Sequence, residues 1–182
     1  MGRSLLVVAA LTLGTGCQFM GGGSSGPAGG PAGRSTAPAK PVPPEQLQAW
    51  LPATLGGHER RLGTPGPQVM EQGGMTATVV TGVYGPPDRT LTVTVMDMPG
   101  MAAAMGTAGQ TNATYGDQEF RTVEIAGYPG TLHYVRSRRT GNAMVTVGDR
   151  FRVTAGGAGL TQDEVIAAAR ELPLRELDAL DE

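Results

Sequence analysis

Thr90-Leu91-Thr92-Val93-Thr94-Val95-Met96 alternates polar and apolar residues without a break. Side chains on a strand point to opposite faces in turn, so this pattern predicts a strand with one buried face. Met75 to Tyr84 ahead of it is rich in threonine and valine, and Pro86-Pro87-Asp88 turns the chain between the two. The two segments are expected to pair as a hairpin.

Further short strands are expected along the second half. Arg121 to Ile125 and Thr131 to Ser137 flank Ala126-Gly127-Tyr128-Pro129-Gly130. Ala143 to Val147 and Phe151 to Ala155 are set off by the turn residues Thr140-Gly141-Asn142 and Gly148-Asp149. Helical signals stand at both ends of this region. Leu47, Trp50 and Leu51 follow Pro44 at helical spacing, and Pro52 stops that segment. Thr161-Gln162-Asp163-Glu164 has capping-box form before Val165-Ile166-Ala167-Ala168-Ala169. Pro173 interrupts the terminal helix, and Leu174, Leu177 and Leu180 are expected to continue it as a second piece. Hairpins bracketed by helices predict an α+β fold, an antiparallel sheet of about 5–6 strands with a short N-terminal helix and a C-terminal helix packed on one face.

The N-terminus has the parts of a secretory signal. Arg3 precedes the apolar run Leu5 to Leu13, and the small residues Gly14-Thr15-Gly16 lead to Cys17, the one cysteine of the chain. The run is too short to span a bilayer core, which needs about 20 apolar residues. These 17 residues resemble the bacterial lipoprotein signal, in which a leucine, two small residues and a cysteine form the lipobox. Gly14 stands three places before the cysteine, with Leu13 one step earlier. The resemblance implies cleavage before Cys17, diacylglycerol on its thiol and an acyl chain such as palmitate on its new amine. It also implies an envelope location, with Gln18 in place of aspartate permitting transfer to the periplasmic face of an outer membrane in a Gram-negative cell.

Three regions follow from this: a signal peptide at 1–16, lipidated Cys17 with a tether through 44, and one domain at 45–182. Residues 18–44 are dominated by glycine, proline, serine and alanine, which bury too little apolar surface to offset their ordering entropy. As a flexible coil such a tether spans about 30 Å. Beyond Cys17 no cysteine remains, so no disulfide within the chain can support the domain. The layout from Leu51-Pro52-Ala53-Thr54-Leu55-Gly56-Gly57 onward is similar to that of small bacterial envelope proteins of uncharacterised function, a resemblance that assigns no active residues.

The residue inventory points away from several functions. With Arg3 removed, 13 basic residues face 16 acidic ones, a balance that gives no reason to expect nucleic acid as a partner. The one lysine, Lys40, lies in the tether, which excludes a Schiff-base lysine or a P-loop lysine in the domain. The one serine after residue 44 is Ser137, set between Arg136 and Arg138 without nucleophile-elbow glycines. Gly156-Gly157-Ala158-Gly159 lacks the spacing of a nucleotide fingerprint and reads as a turn. No catalytic residue and no cofactor is expected, and the expected partners are the membrane, through the lipid, and an envelope protein or ligand.

Three weaker constellations remain. Asp97, Asp117, Glu119 and Glu124 are the candidates for acid–base work on a glycan, as a weak envelope hydrolase, or else they are solvated or paired with arginine. His58 and His133 are too few to hold zinc. Met96, Met98, Met101 and Met105 offer four thioethers, a set suited to Cu(I) or Ag(I) and similar to methionine-rich segments of periplasmic copper-handling proteins. The same residues also suit the packing of a strand edge. Arg136, Arg138 and Arg139, with Arg150 and Arg152 across the next turn, are candidates to bind phosphate or carboxylate groups, or simply charges on an exposed edge.

Overall fold

The structure is a computed structural model that describes residues 40–64, 66–72, 75–100 and 112–180. All of them fall in one compact unit, Thr36–Glu182. Its elements in chain order are α1 (Pro44–Trp50), β1 (Thr54–Leu55), β2 (His58–Glu59), β3 (Arg61–Leu62), β4 (Gln68–Gln72), β5 (Met75–Tyr84), β6 (Leu91–Asp97), β7 (Ala113–Tyr115), β8 (Gln118–Ile125), β9 (Tyr128–Val135), β10 (Thr140–Val147), β11 (Phe151–Ala158), α2 (Gln162–Arg170) and α3 (Leu174–Asp178).

Nine of these strands form one sheet in the order β3-β5-β6-β11-β10-β9-β8-β7, with β4 also pairing along β5. Every pairing is antiparallel. The sheet is two meanders, β4-β5-β6 and β7 through β11, that meet where β6 pairs with β11. The expected hairpin of β5 and β6 is present, with Thr81 opposite Thr94 and Val80 opposite Val95. The α+β class holds, but nine strands replace the expected 5–6. The additional ones are β3, β4 and β7, short edge strands held by backbone pairing rather than by a buried alternating face.

One face of the sheet carries the core. Val93, Val95, Val145, Val147, Phe151 and Val153 join Leu47, Trp50, Val165, Leu174 and Leu177 from the helices in a single apolar cluster. Burying a side chain of this size stabilises the fold by about 1.5–3 kcal/mol. Trp50 also donates its indole N–H to the carbonyl of Pro173 at 3.0 Å, which ties α1 to the start of α3. Tyr84 lies fully inside and donates to the Pro52 carbonyl at 2.9 Å, and burial raises its phenol pKa despite the nearby Arg60.

The capping box at α2 is complete: the Thr161 hydroxyl accepts from the Glu164 amide, and the Glu164 carboxylate accepts from the Thr161 amide. Those bonds, the backbone one first, hold the Glu164 carboxyl below its ordinary pKa, with Arg89 and Arg139 adding to the effect. Leu174 and Leu177 are buried by α3, but the helix ends at Asp178 and Leu180 is 40% exposed, so it does not extend the apolar stripe.

Two glycine segments expected as turns lie inside strands. Thr140-Gly141-Asn142 belongs to β10, and the turn falls earlier, at 136–139, where Arg139 takes φ 47°. Gly156 and Gly157 belong to β11, where a Cβ on Gly157 would stand 1.7 Å from the Thr90 carbonyl oxygen. Their missing side chains permit close strand approach rather than chain reversal. Ser137, expected on a strand, sits in the 136–139 turn.

The domain also begins earlier than the sequence indicates. Val42, expected in the tether that ends at 44, is 7% exposed and part of the core cluster.

Candidate functional site: the open face of the sheet

The side of the sheet away from the core receives no described helix. Pairing register determines what it presents. Its middle row runs Thr81, Thr94, Thr154, Met144, Thr131 and Thr122 across six adjacent strands. On one side of that row stand Val79, Met96, Arg152 and Thr146, and on the other Val83, Thr92, Gly156, Asn142, His133 and Phe120. On β5, β6, β11, β10 and β9, Arg152 is the one charged residue facing this way among the described residues.

A solvent-facing sheet normally places charged residues on its outer positions. This face presents hydroxyls, methyl groups and thioethers instead. Thr81 and Thr94 hydroxyls bond each other at 3.2 Å, which turns part of the polar capacity inward. Arg152 donates its Nε–H to the Met144 sulfur at 2.7 Å and, among the described residues, has no carboxylate within ion-pair distance. Toward the far edge, Phe120 stacks on His133 with ring centroids 4.4 Å apart and 11° between planes, and Tyr115 meets Phe120 edge-on. His133 Nε2 lies 3.2 Å from Gln118 Oε1, so the ring is occupied by neighbours on its own face.

The opposite end of the fold is fastened by a buried ion pair. Arg150 donates to both carboxylate oxygens of Asp97, at 2.7 Å and 3.0 Å, and also to the Lys40 carbonyl at 2.8 Å. The Val42 amide donates to the same carboxylate. Asp97 is 0% exposed and Arg150 7%. This clasp holds Lys40 to Val42 against the ends of β6 and β11, beside an open cleft of about 320 Å³ lined by Pro41, Pro43, Val69 and Thr76 among others.

The four carboxylates considered for acid–base work do not form a set. Asp97 is sealed in the clasp, and Asp117 accepts from the Ser137 hydroxyl in an exposed turn. That hydroxyl is the main reason its carboxyl is held below the ordinary range, with Arg138 and Arg136 contributing less. Glu119 lies 3.6 Å from Arg121, and Glu124 is exposed on β8. His58 is exposed on β2, away from His133 on β9, and among the described residues no three histidine, cysteine or acidic side chains gather as a metal site.

Arg136, Arg138 and Arg139 do share one exposed turn, but carboxylates attend them. Arg136 donates to the Gly116 carbonyl at 2.9 Å and, with Arg138, acts on Asp117, while Arg139 acts on Glu164. Arg150 and Arg152 do not join them. They lie at the other end of the eight-residue β10, roughly 24 Å along the strand, with Arg150 buried in the clasp. Of the methionines, Met96 is on the open face directly opposite Arg152, and Met98 is buried after β6. A guanidinium at this position opposes a metal cation there. Met101, Met105 and Cys17 lie outside the described residues.

No protein-family model, no curated protein and no solved structure matches the chain.

Sequence reasoning did not find the threonine row, the Asp97–Arg150 clasp or the place of Arg152 on the open face, although it named Arg152 with the other arginines as an anion-binding candidate. Thr92 and Thr94 were visible as the outward side of an alternating strand, but only pairing register adds Thr154, Thr131 and Thr122 to them.

Proposed function

We propose that this is a lipid-anchored, non-enzymatic protein of the bacterial envelope, held by Cys17, whose domain binds a partner through the open face of its sheet. The observation that carries the reading is the near absence of charge on that face across five consecutive strands. Depletion of charged residues is the compositional mark of the core of a protein interface. Methionine contributes an adaptable, polarisable contact surface, as at Met96 and Met144. The attachment in this reading is the lipid on Cys17, as the resemblance of residues 1–17 to a lipoprotein signal implies.

The test is the size of the native assembly. Protein pelleted with membranes and released by mild detergent is expected to run as a complex larger than one chain. A variant with Thr94→Glu and Thr154→Glu is expected to run as a single chain while remaining folded, at a cost of about 1–2 kcal/mol because the two like charges stand directly opposite on paired strands and the Thr81–Thr94 bond is lost. A wild-type protein that runs as a single chain would refute the reading.

A further inference from the structure

We infer that Met144 is a reversible oxidation site: its thioether takes an oxygen atom from a peroxide, and Arg152 holds the resulting sulfoxide. The inference goes beyond the binding role of the open face and takes from that reading only the envelope location, where oxidants from outside the cell arrive first.

Register places the two side chains within reach. Met144 pairs with Thr154, and Arg152 stands two residues from Thr154 on the same side of β11, a diagonal that long side chains span. The guanidinium donates Nε–H to the Met144 sulfur at 2.7 Å. Among the described residues this is the one hydrogen bond that Arg152 makes, and no carboxylate balances its charge. A thioether is a weak acceptor, so the cation is held beside a sulfur with most of its donor capacity unused. Of the described methionines, Met144 alone accepts a bond from a cation. Met70 and Met75 are exposed near the sheet edge, Met98 is buried, and Met96 stands opposite Arg152 without a hydrogen bond to it.

Oxidation supplies the acceptor that this arrangement lacks. The Nε–H bond engages one lone pair of the sulfur, and the other attacks an oxygen of hydrogen peroxide. Sulfur gives up two electrons, the S–O bond forms as the O–O bond breaks, and the proton on the transferred oxygen passes to the departing hydroxide, which leaves as water. The sulfoxide oxygen then faces a charged donor, and hydrogen bonds with one ionised partner are about twice as strong as neutral ones. Sulfoxide formation commonly disrupts packed sites because it turns an apolar side chain polar. Here the donor is already in place, and the rotatable bonds of methionine let the oxygen swing toward it while the backbone stays. Reduction returns the thioether: the oxygen leaves as water while two thiols of a separate reductant become a disulfide. Those thiols come from outside, since residues 45–182 contain no cysteine.

The test uses the whole chain with Cys17→Ser, treated with hydrogen peroxide until peptide mass spectrometry shows an added oxygen on Met144. Thermal unfolding is compared before and after treatment, with Met144→Leu treated in parallel so that the effects of the other methionines are subtracted. Oxidation of Met144 is expected to leave the unfolding midpoint within about 1 °C when Arg152 is present and to lower it by about 3–6 °C in Arg152→Leu, where the sulfoxide lacks its donor. Arg152→Lys, which keeps a charged donor, is expected to fall between the two. The two epimer-specific methionine sulfoxide reductases with dithiothreitol are expected to remove the oxygen from the folded chain. Met144 that takes up no oxygen while Met70 does would overturn the inference, as would an equal fall in midpoint with and without Arg152, or a sulfoxide that the reductases leave in place. Each of those results leaves the open face standing as a binding surface. A native assembly of one chain removes that binding reading and leaves the coupling of Met144 to Arg152 untouched.

Discussion

Replacing Arg150 by methionine is expected to lower the stability of the domain by about 3–5 kcal/mol, because it leaves the Asp97 carboxylate buried without its cation. For a domain of this size that corresponds to a fall of about 10–20 °C in the unfolding midpoint. Three attachments are lost together. Both Arg150 bonds to Asp97 disappear, Lys40 loses the guanidinium on its carbonyl, and Val42 is left bonded to an uncompensated charge. Arg150 also lies 5.1 Å from the Phe151 ring centroid, a contact that methionine retains in part. Replacing both partners, Asp97→Leu with Arg150→Met, is expected to recover most of the loss, since apolar residues of similar volume often match a buried ion pair. Thermal unfolding followed by circular dichroism checks both variants. A shift below about 1 kcal/mol for Arg150→Met alone would show that the clasp does not hold the fold.

Gly157→Ala is expected to cost about 3 kcal/mol, at the upper end of overpacking effects. The added Cβ would stand 1.7 Å from the Thr90 carbonyl oxygen and 2.8 Å from its carbon, both backbone atoms with no rotamer to escape into. Relief requires β11 to move off β6 where Gly157 faces Leu91, at the junction of the two meanders. The Ala158 amide, which donates to the same Thr90 oxygen at 3.1 Å, would be displaced as well. Urea unfolding gives the measurement. Gly66→Ala, where a Cβ meets nothing within 4 Å, is the matched control and is expected to change little.

Those two sites also show where the sequence was readable. The alternation in β6 marked Val93 and Val95 as buried, and both are 0% exposed. Thr161 and Glu164 marked the start of α2 because a capping box is local chemistry within four residues. Gly156 and Gly157 were misread for a physical reason. Glycine serves tight turns and close backbone approach alike, and only the neighbouring strand decides between them. The clasp was hidden because Asp97 and Arg150 are 53 residues apart, and each alone resembles a surface charge. Edge strands such as β4 were missed because Gln68 to Gln72 pair through their backbone and bury no regular face. The open face was half legible: its threonines stood at alternating positions, but the row that joins them belongs to register across six strands.

The most direct measurement of the central claim is the oxidation rate of Met96 and Met144 in intact envelopes, read by mass spectrometry against the same residues in the Thr94→Glu, Thr154→Glu variant. Both methionines are half-buried on the open face, so an uncovered face leaves them reactive. Met70 and Met75, 42% and 49% exposed near the sheet edge, serve as internal references. A covered face predicts that Met96 and Met144 oxidise several-fold more slowly in the wild-type protein while Met70 and Met75 react equally in both. Equal rates for Met96 and Met144 in the two proteins would contradict the account.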